Sequence, residues 1–143
     1  MDGGTNASND SGVFCKGTLT GFTPSTTWTR YAMTIESISG SSAYARADTN
    51  TTIVVPKKGT YIITLHIDWS GVSSKEVGIL IYTNGNELAT DREMQTGDCN
   101  VNLTAMDYLN AGDKVQARVL VASTGPVVNG GVLTVAYLGE GIN

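Results

Sequence analysis

The run Gly59-Thr60-Tyr61-Ile62-Ile63-Thr64-Leu65-His66-Ile67-Asp68-Trp69 constrains this chain more than any other stretch. Its residues are mostly β-branched or aromatic, the types that fit a pleated, half-buried surface. Tyr61, Ile63, Leu65, Ile67 and Trp69 recur at period two and define one wholly apolar face. Thr60, Ile62, Thr64, His66 and Asp68 define the other, which is mixed. One apolar face backed by a mixed one predicts a strand of a two-layer β structure. The preceding Ile53-Val54-Val55-Pro56-Lys57-Lys58-Gly59 reads as a short strand closed by a turn.

The rest of the chain repeats this pattern in shorter pieces. Alternation predicts a first strand over 12–22 and a second β-prone region over 28–38, anchored by Trp28, Tyr31, Met33 and Ile35. A short edge strand follows at 44–46. Beyond the organising run, Ser70-Gly71-Val72-Ser73-Ser74 reads as a loop and 76–83 as a strand. Asn84-Gly85 then gives the strongest short-range hairpin signal. Strands are expected at 87–92, 100–109, 114–123 and 132–138. Turns are expected at 95–98, at Asn110-Ala111-Gly112-Asp113 and at Asn129-Gly130-Gly131. No segment carries a 3.6-residue period. About ten short strands at roughly 8–12-residue spacing predict an all-β sandwich or barrel.

At 143 residues the chain reads as one domain, preceded by a leader over 1–11 that is rich in Gly, Asn, Ser and Asp. Charged residues make up only 15%, below the roughly 25% usual for soluble domains. Net charge is −4 with no basic run, which argues against nucleic acid or an anionic membrane as partner. No apolar stretch reaches the roughly 20 residues of a spanning helix. The first residues carry no basic, apolar pattern of a secretion signal. Cys15 and Cys99 fit no zinc spacing, and without a signal for an oxidising compartment they are expected to be free thiols.

Four segments stand in a telling order: Ile53-x-Val55-Pro56-x-x-Gly59-x-Tyr61, the hairpin Tyr82-Thr83-Asn84-Gly85-Asn86-Glu87, Leu109-x-Ala111-Gly112-Asp113-x-Val115, and Gly130-Gly131-x-Leu133-x-Val135-x-Tyr137-Leu138. Together they resemble the tumour necrosis factor and complement-q globular-head superfamily, well over 53–139 and loosely over 12–50. The resemblance implies a ten-strand jelly-roll sandwich that assembles as a homotrimer, with neighbouring termini and a role in display or binding. Tyr61, Tyr82 and Tyr137 are then candidates for the face where three copies meet, since such rings give large contact area at low entropic cost. The whole chain is similar to the short, Thr- and Asn-rich versions of the fold in bacteriophage fibres, spikes and capsid attachments, and in bacterial surface fibres.

The residues of catalysis and metal binding do not assemble in the sequence. The single histidine, His66, reads as a structural residue of its strand, and no nucleophile elbow or phosphate-cradling loop stands out. Asp91, Glu93 and Asp98 are the carboxylates a loop-borne Ca²⁺ would use, but their spacing matches no EF-hand. Sequons at Asn6, Asn50 and Asn102 are expected by chance in so Asn- and Thr-rich a chain. No catalytic residue, cofactor or metal is therefore expected.

The expectation is a non-enzymatic virion protein: a head fibre, spike or capsid decoration acting in host-surface attachment or shell stabilisation. It would be made in the host cytoplasm and bound to a capsid or fibre-shaft protein through the leader. The alternative is a secreted or surface-displayed trimeric module, an adhesin tip or cytokine-like ligand. The loop residues Asn84, Gly85, Asn86, Arg92, Glu93 and Gln95 are the candidates for meeting a host receptor or glycan, because recognition usually sits on loops held by a rigid scaffold.

Overall fold

The structure is a computed structural model and describes residues 14–24, 26, 29–30, 33–37, 45–47, 51–122 and 125–140. The expected leader, residues 1–11, lies outside the described residues, as do Trp28, Tyr31 and the sequons at Asn6 and Asn50. All regular elements described are strands: β1 (Phe14–Phe22), β2 (Thr29–Arg30), β3 (Met33–Ser37), β4 (Ala45–Ala47), β5 (Thr52–Val54), β6 (Gly59–Thr83), β7 (Asn86–Leu109), β8 (Lys114–Val121) and β9 (Val127–Gly139).

The organising run is the first half of β6, and its alternation holds residue by residue. Tyr61, Ile63, Leu65, Ile67 and Trp69 are buried, while Thr60, Ile62, Thr64, His66 and Asp68 are partly exposed. The sheet path runs β3-β1-β9-β6-β8-β5-β4, with β7 along β6 and β2 on β8. The halves of β6 take different neighbours. Thr60 to Ser70 pairs with β9, and Val77 to Thr83 pairs with β8. The sheet thus folds over along β6 and β7 into two layers. The first layer holds β3, β1, β9 and the first half of β6; the second holds the other half with β8, β5 and β4.

Between the layers lies one core. It includes Ile63, Leu65, Ile67 and Trp69 from the first half of β6, and Val77, Ile79 and Ile81 from the second. Val115, Val119 and Val121 of β8 and Leu133 and Val135 of β9 belong to it as well. Each fully buried branched side chain contributes roughly 1.5–3 kcal/mol relative to exposure.

Three expectations change. First, the strands at 59–69 and 76–83 are one 25-residue strand, and those at 87–92 and 100–109 are one 24-residue strand. The sequence punctuation at 70–74 and 95–98 marks bulges, between Trp69 and Val72 and between Val72 and Lys75. A bulge bends a strand without ending its pairing. The described residues hold nine strands. Second, the region 28–38 divides: β2 pairs with β8 of the second layer, and β3 with β1 of the first. Third, Asn129-Gly130-Gly131 is not a turn but part of β9. A Cβ on Gly131 would lie 2.2 Å from the His66 carbonyl oxygen, so glycine is required there for close approach of β9 to β6.

Candidate binding surfaces

Both ends of β6 lie at one end of the molecule. Gly59 pairs with Leu109, and the Thr83 hydroxyl donates to Asp107 Oδ2 at 3.4 Å. Asp107 is itself the register partner of Tyr61. Phe14 is the partner of Ala136 near the close of β9, so the start of β1 and the end of β9 share this end. The bulges near Gly71 and Gly97 mark the other.

The Asn84-Gly85 turn has φ of 50° and 82°, the left-handed region that Asn and Gly tolerate best. The Asn84 N–H donates to the Lys114 carbonyl at 3.0 Å, and Asn84 Oδ1 accepts from the Lys114 N–H at 2.8 Å. Asn84, Gly85 and Asn86 are exposed. Yet this turn stands at the end that holds the start of β1 and the end of β9, whereas Arg92, Glu93 and Gln95 lie on β7 towards the opposite end. The candidate recognition residues therefore form two separate surfaces. Arg92 is exposed and its Nη2 donates to Glu76 Oε1 at 2.6 Å. Glu93 and Gln95 lie in phase with the core-facing side of β6, and Gln95 Nε2 donates to Glu93 Oε1 at 2.5 Å.

The three tyrosines do not share a face. Tyr61 and Tyr137 are register partners whose rings lie inside the protomer, 0% and 4% exposed, with centroids 5.2 Å apart. Their hydroxyls donate to the Lys57 carbonyl at 2.6 Å and the Lys58 carbonyl at 3.2 Å, pinning the turn that leads into β6. Their ring area is spent within the protomer's own core, because both fall in phase with Ile63 and Val135. Tyr82 falls in the opposite phase and points out of the second layer, with the Arg118 guanidinium 3.8 Å from its ring centroid.

The outward face of the first layer carries a different apolar set. Met106 and Tyr108 on β7 are 59% and 48% exposed, and Leu138 on β9 is 49% exposed. Register places Met106, Ile62 and Ala136 in one row and Tyr108 beside Thr60 in the next. The following row is hydroxyl: Thr104, Thr64 and Thr134, with the Thr64 and Thr134 hydroxyls hydrogen-bonded to each other. Further along, the His66 ring is held between Asn102 Oδ1 at 2.5 Å and Asp68 Oδ1 at 2.9 Å. The sequence signal for this patch was present in β7, where Met106 and Tyr108 share the phase of Asn102 and Thr104.

Among the described residues no group of three or more His, Cys, Asp or Glu side chains is arranged to hold a metal. Asp91 and Glu93 sit together on β7, with Asp98 exposed beyond them. Neither described cysteine is in a disulfide; Cys15 is buried and Cys99 partly so. Burial pushes the Cys15 thiol up to about 12. Cys99 is raised too, first by burial and then by the charges of Glu93 and Asp98. No described helix is long and apolar enough to cross a membrane.

A nine-strand sheet folded over a single core defines the molecule as an all-β jelly roll. No protein-family model matches the chain, and no curated protein sequence does. Among solved structures it is similar to the crystal structure of murine APRIL at pH 5.0, with a TM-score of 0.59 and 10% identity, covering 86% of this chain and 98% of that one. That likeness is one of fold, the tumour necrosis factor-like jelly roll.

Proposed function

We propose that this chain is a non-enzymatic virion structural protein, a homotrimeric fibre head, spike or capsid decoration that acts in host-surface attachment or shell stabilisation. The observation that carries the reading is the charge-free patch formed by Ile62, Met106, Tyr108, Ala136 and Leu138 on the outward face of the first layer. Around a threefold axis each side chain near the axis meets its own copies. A charged residue there would meet like charge, whereas an uncharged apolar row packs against itself. The Thr row beside it is uncharged across β7, β6 and β9 and meets Lys16 on β1.

Phe14 and Gly139 stand at the same end as this patch, so a leader over 1–11 would emerge beside it and reach a capsid or fibre-shaft protein. Arg92, Glu93 and Gln95, towards the opposite end, remain the residues proposed to face a host receptor; the Asn84-Gly85-Asn86 turn lies at the end of Phe14 and Gly139. The test deletes residues 1–11 and scores incorporation into particles. The deletion variant should stay folded and trimeric but fail to incorporate, because a segment of this composition adds little to a packed core. Normal incorporation without the leader would remove the attachment role. A protein found on the producing cell's surface and never in particles would instead mark a displayed binding module.

A further inference from the structure

The chain holds two Asn-Gly pairs, Asn84-Gly85 and Asn129-Gly130. In such a pair the glycine nitrogen can approach the asparagine side-chain carbonyl carbon, because no glycine Cβ stands in the way. Exposure does not separate the two pairs, since both asparagines are exposed. Nor do the side-chain contacts. Asn84 Oδ1 accepts from the Lys114 N–H at 2.8 Å, and Asn129 Oδ1 from the Ser70 hydroxyl at 3.0 Å. A donor on that oxygen favours addition to the carbon at both sites alike. The backbone separates them. Asn84 and Gly85 form the turn between β6 and β7 and belong to neither strand. Among the described residues the Gly85 N–H makes no backbone hydrogen bond, and the space where its side chain would stand is empty to 4 Å. Gly130, by contrast, lies inside β9, opposite Thr20 of β1 on one side and Asp68 of β6 on the other. A Cβ on it would lie 3.2 Å from the Leu19 carbonyl oxygen. Turning the backbone there to close a ring would break the ladder.

We propose that Asn84 is a site of covalent self-modification and that the pairing of β9 protects Asn129 from the same reaction. The Gly85 nitrogen gives its proton to base in the solvent and adds to Asn84 Cγ. The side-chain nitrogen leaves as ammonia, and a succinimide ring remains. Water then opens the ring at either carbonyl. One opening yields aspartate; the other yields isoaspartate, in which the main chain runs through the former side chain. One water is taken up and one ammonia released, with no oxidant, reductant or cofactor. Either product brings a negative charge to the exposed turn. Isoaspartate also lengthens the main chain by one carbon, which spoils the match between a two-residue turn and the twist of its strands. The site stands apart from the attachment role and requires no assembled trimer.

The test holds the whole chain in warm buffer at neutral and mildly alkaline pH and samples it over days. Mass spectrometry follows the peptides around each pair, and fragmentation distinguishes isoaspartate from aspartate. Circular dichroism checks that the chain stays folded throughout. In the folded chain the Asn84 peptide should gain the mass of deamidation about tenfold faster than the Asn129 peptide or more, because the reactive backbone at Asn129 is reached only by breaking ladder hydrogen bonds. The rate at Asn84 should rise with pH, since the attacking nitrogen must lose its proton. In the same chain unfolded in guanidinium the two pairs should react at similar rates, since each is then simply an asparagine followed by glycine. Separated by anion exchange, the isoaspartate form should unfold at a lower denaturant midpoint than the fresh chain. The proposal is overturned if Asn84 stays unmodified, if Asn129 reacts as fast in the folded chain, or if the difference persists in the unfolded one. A rate at Asn84 that ignores pH would overturn the ring closure, and an unchanged midpoint would overturn the effect on the turn.

Discussion

Glu93 lies two residues from Asp91 on one face of β7, and the two share a hydrogen bond that holds the Glu93 proton. That bond raises the Glu93 carboxyl above its ordinary 4.5, with burial and the Asp91 charge adding to it and the Gln95 amide opposing. A raised folded-state value means that Glu93 contributes stability below the unfolded value and loses it as pH rises through the folded one. The urea midpoint of the wild type relative to Glu93→Gln should therefore fall between pH 4 and pH 7, roughly the upper carboxylate range. A difference that stays constant across that range would remove the shared proton. At the cysteines, the wild-type chain should yield two reactive thiols after denaturation without reductant. In the native state Cys15 should resist alkylation far longer than Cys99, because its thiolate is suppressed by burial. Equal native rates would contradict the burial. Both thiols free is what the sequence led one to expect. The inward placement of Tyr61 and Tyr137 was equally legible, since each sits in phase with an unbroken apolar row.

Among the elements, β6 explains both what the sequence reveals and what it hides. Its first half alternates without a break, so its buried residues can be read directly. Its continuity through Ser70-Gly71-Val72-Ser73-Ser74 cannot, because small polar residues signal a loop and a bulge alike, and only the partner strand decides between them. The Gly130-Gly131 pair misleads for a related reason. Glycine marks both turns and close backbone approach, and here the His66 carbonyl occupies the space a side chain would need. Gly131→Ala should thus destabilise the fold by about 1–3 kcal/mol, read as a lower denaturant midpoint with an unchanged slope. A neutral result would mean that β9 lies further from β6. On the neighbouring strand, Ile63→Ala should cost about 2–5 kcal/mol, since Ile63 is fully buried. A cost under about 1 kcal/mol would place Ile63 outside the packed core.

For the whole molecule, the two outward faces differ in chemistry. The first-layer face is apolar near the start of β1 and the end of β9 and grows polar towards His66, Asp68 and Asn102. The second-layer face carries the Thr52, Gln116, Arg118 and Tyr82 chain of contacts. The all-β class and the single core were legible from period-two alternation and turn residues. Which residues stand outward together was not, because that depends on how β7 aligns with β6, a register no local pattern encodes. Sedimentation equilibrium of the purified chain at micromolar concentration tests the central claim most directly, with Met106→Glu beside it to place like charges at the axis. The account predicts about three times the 15.0 kDa chain mass for the wild type and a single chain mass for Met106→Glu, both with the same strand signal in circular dichroism. A wild-type monomer, or a Met106→Glu protein that assembles as the wild type does, would contradict it.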